Sequence, residues 1–143
     1  MKTRIAIHAD FPELALLMGE LGYPTSLDEM TFRMSALAKI DNYEAFVAVE
    51  AESVAGMIGL SIAPSFYRSD LAGAIVALVV SPHFRGRGVA ALLVACGERW
   101  FAERGVDRVS VNPSNHRTSA HRVYNRLGYE QTGLRFTKTL KGI

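Results

Sequence analysis

Between Arg85 and Ala90 the chain reads RGRGVA, two glycines and two arginines set between the apolar run AIVALVV and a helical stretch that opens at Val89. The first amides of a helix have no intrahelical acceptor, and the helix dipole adds positive potential there. Without Cβ atoms at Gly86 and Gly88, phosphate oxygens can come close to that backbone. Arg85 and Arg87 add positive charge. A strand, a bare turn and a helix in this order make an anion cradle, and pyrophosphate is the expected guest.

Three kinds of cradle compete for the pattern. A P-loop requires GxxxxGK[ST], and the turn holds no lysine followed by serine or threonine. A dinucleotide fingerprint is partly met, since Gly86, Gly88 and Ala91 satisfy GxGxxA. Its acidic ribose ligand belongs at the end of the next strand, whereas Asp107 stands where that strand begins. That fingerprint also follows the first strand of its domain, and here three strands come immediately before the turn.

The elements that must position the turn are legible from periodicity and caps. A short strand is expected at Ile5–Ile7, then a helix capped by Asp10, with Pro12 in its first turn and a stop at Gly22. Ser26 and Glu29 have capping-box spacing for a second helix to about Lys39. EAFVAVE (Glu44–Glu50) and VAGMIGLSI (Val54–Ile62) read as a hairpin, followed by a loop over 64–72. Ala74–Val80 is apolar throughout, as a strand covered on both faces is. Leu92, Leu93, Cys96, Trp100 and Phe101 recur at helical spacing within Val89–Arg104, and Gly105 ends that helix. DRVSV is a strand, Ser119–Leu127 a helix ending at Gly128, and YEQTG with LRFTKTL a closing hairpin. The order β-α-α-β-β-β-α-β-α-β-β predicts an α/β fold on a mixed sheet, with residues 1–143 as one domain.

Composition narrows the function classes. The 143 residues are 49% hydrophobic and carry a net charge of +2, enough for a core and too mild for a nucleic-acid partner. Arg117, Arg122, Arg126 and Arg135 could form a local patch, but a solvated helix face accounts for such spacing. Cys96 is the one cysteine and lies in an apolar stretch, so it is expected to be a buried packing thiol. There is no CxxC pair, and no metal is expected. No secretory h-region opens the chain and no run approaches a bilayer span, so a cytoplasmic protein with no membrane partner is expected.

RGRGVA resembles the pyrophosphate signature of the GNAT family of N-acetyltransferases: Arg or Gln, two residues, Gly, one residue, Gly or Ala. AHRVYNRLGYE (Ala120–Glu130) is similar to that family's second signature, RFTKTL to its last strand, and ELGYPTSLDEM to the inter-helix region of one bacterial subgroup. The resemblance runs over essentially the whole chain, including the element order. It implies acetyl-CoA as co-substrate, its pantetheine arm lying like an added strand between splayed fourth and fifth strands. By position, Leu78, Val79 and Val80 would offer main-chain groups to pantetheine. The amides of Arg85, Gly86, Arg87, Gly88, Val89 and Ala90 would hold the pyrophosphate. Tyr124 matches the family tyrosine that points at the sulfur and is assigned general acid.

Two departures stand out. Many relatives carry a glutamate on the fourth strand as base, and AIVALVV has no ionisable side chain. A water chain, Asp70, His83 or His121 are the alternatives. The family asparagine, three residues before the alanine, falls on Arg117; Asn115 takes its place if the turn is two residues longer. The acceptor, the amine of a small molecule or a protein, would be gripped by the first two helices and the 64–70 loop, with Tyr23, Phe66, Tyr67 and Asp70 as candidate lining. Asp28, Glu29 and Asp70 are too sparse to define a polycation cleft. A non-catalytic acyl-CoA-binding module is the competing reading, and a homodimer is compatible with the resemblance.

Overall fold

The structure, a computed structural model, describes residues 1–111, 118–130 and 138–140. Within them five strands form one sheet in the order β1-β2-β3-β4-β5: β1 Lys2–Ile5, β2 Tyr43–Glu50, β3 Ser53–Ala63, β4 Ala72–Val80 and β5 Arg108–Val111. The helices are α1 Phe11–Leu21, α2 Leu27–Ala38, α3 Val89–Glu103 and α4 Thr118–Arg126. Neighbouring strands are antiparallel from β1 to β4, and β4 pairs with β5 in parallel through the crossover that contains α3. This is the mixed α/β sheet that the order of elements predicts. The expected closing hairpin falls mostly on residues 131–137, outside the described ones.

Local sequence explains most boundaries. Ser26 caps α2 as expected: its hydroxyl accepts from the Glu29 amide at 3.1 Å, and the Glu29 carboxylate accepts from the Ser26 amide at 2.8 Å. Asp10 differs from expectation. It precedes α1 but makes no side-chain bond to that helix. Its carboxylate accepts from the Ile7 amide at 2.8 Å and takes both terminal nitrogens of Arg4, at 2.7 and 3.0 Å. β1 accordingly ends at Ile5, earlier than expected, because the chain turns at Ile7 to bring Asp10 back onto Arg4.

Asp10 is the one buried charged residue among the described ones, 4% exposed. The Arg4 guanidinium holds its carboxyl below the usual range, against the opposing effect of burial. A depressed folded pKa gives stability that is present above the ordinary carboxylate range and is lost as pH falls through the depressed value. Asp10→Ala is therefore expected to cost about 2 kcal/mol at pH 7, since it orphans the Ile7 amide and strips Arg4 of its partner. Urea denaturation should show the gap from the parent chain closing below about pH 4.

Two cores lie against the sheet. Ile58, Leu60, Ile62 and Ile75 pack with Leu93, Val94, Trp100 and Phe101 of α3. Val47, Val54, Met57 and Val79 pack with Phe11, Leu14 and Leu17 of α1 and Met30 of α2. α3 sits unusually close to the sheet at two points. A Cβ on Gly56 would stand 2.7 Å from the Val79 carbonyl oxygen and 3.2 Å from the side chains of Val89 and Leu93; one on Gly97 would meet Leu60 at 3.0 Å. Leu93, Val94 and Phe101 are almost wholly buried, and each such side chain contributes ~1.5–3 kcal/mol. Exposed ion pairs contribute ~0–1 kcal/mol. The core, not its surface charge, fixes where α3 begins. Cys96 is buried in this layer, as expected.

Candidate functional site

β4 delivers the chain to the glycine turn, and its two edges differ. Toward β3 it is paired along its length, from Ala63↔Ala72 to Gly56↔Val80. Toward β5 the register runs only from Ala72↔Arg108 to Ile75↔Val111. Among the described residues, Val76–Val80 thus has no strand on its β5 side. The register with β3 also skips there, from Leu60↔Ile75 to Gly59↔Ala77, so Val76 is a bulge. Its side chain is 54% exposed. The expectation of a strand covered on both faces therefore fails at Val76, although Ile75 and Val79 on either side are buried.

Leu78 and Val80 turn half-buried side chains toward the α3 core, and Val79 is buried in the α1–α2 core. Their side chains are thus committed to packing. No glycine or proline stands at Val76 itself; Gly59, on β3 opposite the bulge, is the one residue type there that accompanies it.

After Val80, Pro82–Phe84 makes one 3-10 turn, and Arg85 to Gly88 leads exposed into α3. Gly86 and Gly88 both have φ +77°, and open space surrounds the position of a Cβ at either. The left-handed backbone requires glycine, and the space beyond is what an anion would use. Gly88 is the N-cap of α3, its carbonyl accepting from the Leu92 amide at 3.1 Å. The amides of Val89, Ala90 and Ala91 precede that first bond and have no intrahelical acceptor. Val89 is buried and Ala90 half-buried, so the helix start is anchored beneath its exposed turn.

The arginines are placed differently from expectation. Arg85 bonds Glu20 of α1 at 3.2 Å, and Arg87 bonds Glu50 at the end of β2 at 2.7 Å, while the Arg87 guanidinium also lies 5.3 Å from the centre of the Phe84 ring. That hydrogen bond holds the Glu50 carboxyl below its usual range. Both guanidiniums thus carry a carboxylate partner from elsewhere in the chain. The partners lie 65 and 37 residues away in sequence, a distance at which no motif could reveal them.

Tyr124 lies on α4, half-buried, and burial pushes its hydroxyl up to about 12. Its ring meets that of Tyr129 edge-on at 6.0 Å. The Tyr129 hydroxyl bonds the Glu98 carboxylate of α3 at 2.8 Å, and its amide donates to the Tyr124 carbonyl at 2.9 Å. Tyr129 and Leu127 also pack against the α3 core. The end of α4 is thereby tied to the helix that carries the cradle.

The alternative bases fare unequally. Asp70 bonds Arg68 at 2.9 Å and Arg108 at 3.4 Å, and these bonds hold its carboxyl below the usual range. A depressed carboxylate is a poor proton acceptor. The loop carrying Asp70, Phe66 and Tyr67 also leads into the start of β4, whereas the cradle follows its end. At ~3.3 Å a residue, a nine-residue strand separates those ends by ~26 Å. Phe66 and Tyr67 are fully exposed there. The loop thus stands at the opposite end of β4 from the glycine turn. His83 is exposed beside the turn. Asn115 and Arg117 lie outside the described residues, as does Arg135, and the side chain of His121 is not described. On α2, Asp28, Glu29, Phe32 and Arg33 line an open groove of about 350 Å³. Among the described residues no helix is long and apolar enough to cross a membrane.

A bare glycine turn at the start of α3, entered from β4, defines the anion-binding class of site, and comparison with known families narrows that class. The acetyltransferase (GNAT) family matches over residues 11–129, and the chain belongs to that family. It is 33% identical to aminoalkylphosphonate N-acetyltransferase of Salmonella typhimurium over 141 residues, 97% of this chain and 91% of that protein. It is 28% identical to aminoglycoside N(6')-acetyltransferase type 1 of the same organism over 99 residues, 67% of this chain and 68% of the other. Among solved structures, an aminoglycoside N-acetyltransferase in complex with CoA has a TM-score of 0.85 at 22% identity, covering 98% of this chain and 94% of that one. A GNAT family acetyltransferase from Staphylococcus aureus has a TM-score of 0.82 at 24% identity, covering 97% and 98%.

Proposed function

We propose that this protein transfers the acetyl group of acetyl-CoA directly to the primary amine of a small molecule, both substrates being held at once. The observation that carries the reading is the join of two features: the β4 edge at Val76–Val80, which no strand among the described residues pairs on its β5 side, and the glycine turn that follows it into α3. Main-chain groups of Leu78 to Val80 would pair with the pantetheine amides as an added strand does. The amides from Arg85 to Ala90 would hold the pyrophosphate at the positive end of α3. No cavity chemistry is required for either.

Transfer forms a C–N bond and breaks the C–S bond of the thioester. The attacking amine must first lose its proton, because an alkyl ammonium has a pKa of about 10. No side chain on β4 can take it, so a water relay is the reading the all-apolar strand supports. The carbonyl oxygen that becomes negative needs a donor, and Val76, the bulge residue with no Cα partner on β3, would offer its amide. Tyr124, its proton held by burial, would donate a hydrogen bond to the departing thiolate. A thiol pKa of about 8.5 lies well below that of the buried phenol. Tyr124 would therefore stabilise the sulfur anion while the amine's own proton reaches bulk water.

The apolar β4 also favours a second reading, a non-catalytic acyl-CoA-binding module of the same fold. One experiment separates the two. Thermal melting with acetyl-CoA, CoA and NAD should give a rise with both CoA species, by ~2.7 kcal/mol at a hundredfold excess over Kd, and none with NAD. Free-thiol release is then followed with aminoalkylphosphonates, aminoglycosides and other small amines, the first of these taken from the 33% identical relative. Thiol release with any amine supports the transferase; melting shifts without release across the panel favour the binder. No shift with CoA would remove the basis of both.

A further inference from the structure

Two carboxylates stand at a site built to attract anions. Glu20 comes from the last turn of α1 and Glu50 from the end of β2, and each is aimed at one of the two arginines of the glycine turn. Neither pair is a buried structural bridge. The side chains of Arg85 and Glu20 are 57% and 41% exposed, and those of Arg87 and Glu50 are 47% and 41% exposed. Each contact uses a single terminal nitrogen, where a guanidinium can offer a two-nitrogen fork. Exposed pairs of this kind are weak and exchange readily. Since the buried face of α3 fixes the helix, the pairs are not needed to hold the turn in place.

We propose that Glu20 and Glu50 are resident counter-anions of the cradle, which hold Arg85 and Arg87 and surrender them to a diphosphate. The inference rests on the cradle reading above. A diphosphate offers each guanidinium several oxygens and more negative charge than one carboxylate, so the exchange runs toward phosphate. Arg87 stays beside the turn throughout, because the Phe84 ring supports its guanidinium face independently of Glu50. Breaking the two carboxylate pairs offsets part of the energy gained on binding, and this keeps affinity down. The device lets a strongly positive turn release its nucleotide product instead of retaining it.

The test is titration calorimetry with CoA and, separately, with inorganic pyrophosphate, on the parent chain, Glu20→Gln, Glu50→Gln and the double variant. Each single change is expected to lower Kd for both ligands by about two- to fivefold, and the double by about tenfold. In an Arg85→Gln background Glu20→Gln should no longer matter, and likewise Glu50→Gln in Arg87→Gln. Thermal melts of each variant verify that it is folded. Unchanged or weaker binding in the carboxamide variants, with the parent binding CoA normally, overturns the inference and leaves the cradle standing. A gain that persists without the arginine also overturns it, because the carboxylate would then act on the anion directly. A parent chain that binds neither ligand overturns the inference together with the cradle.

Discussion

Tyr124→Phe is expected to lower kcat by roughly a hundredfold while leaving the Kd for CoA within about twofold of the parent value. The substitution removes one oxygen and keeps the ring, so the edge-on contact with Tyr129 survives and with it the tie between α4 and α3. What is lost is the donor proposed to meet the departing sulfur. Burial pushes that hydroxyl up to about 12, so it stays protonated across any ordinary assay pH. The parent's pH–rate profile should therefore show no inflection from this group below about pH 11. Steady-state kinetics with saturating acetyl-CoA, beside calorimetric CoA binding, make the measurement. Full activity in the phenylalanine variant would make Tyr124 a packing residue, and the thiolate would then need another donor.

Gly88→Val should abolish the CoA-dependent melting shift, from ~2.7 kcal/mol at a hundredfold excess over the parent Kd to near zero. Two effects act together. The φ of +77° at this position is one a β-branched residue adopts only under strain, so the turn must rearrange. Any side chain there also projects into the open space before the α3 amides, which is the space an anion must enter. The variant's own melting point should fall by much less than its ligand response, because Gly88 is exposed and α3 is anchored by Leu93, Val94 and Phe101. An undiminished CoA shift would move the pyrophosphate off this turn.

The sequence was informative where the controlling interaction is local. The capping box at Ser26 and Glu29 spans three residues and forms as expected, and the glycine turn stands at the start of α3 where its spacing puts it. Asp10 shows the limit. An acidic residue before a helix reads as a cap, yet Arg4 across the turn offers two charge-assisted bonds, and those outcompete the helix amides. The pairing of Arg85 and Arg87 was illegible for a related reason: the partners come from α1 and β2, and only the fold brings them together. At Val76 the strand's own residues do not signal the bulge; the glycine that accompanies it, Gly59, is on β3, and only the registers of the two strands bring them together. The role of the 64–70 loop came from resemblance alone, and the fold adds only that this loop leads into β4 at the end opposite the glycine turn.

Gly56 and Gly97 act as a spacing gauge for the whole site. Each removes a side chain where α3 crosses the sheet: Gly56 leaves β3 bare beneath Val89 and Leu93, and Gly97 leaves the helix bare above Leu60 and Ile58. The height of the helix's first turn above β4 is thus determined by two hydrogen atoms, one of them at Gly56 directly beneath Val89. Thickening the interface by even one methyl group would lift the anion-holding turn relative to the strand beside it. A two-part ligand that must touch both would then fit neither end at once. Redesigning this site for a longer or shorter nucleotide arm would therefore start in the core, at these two contacts, before any residue of the turn is changed.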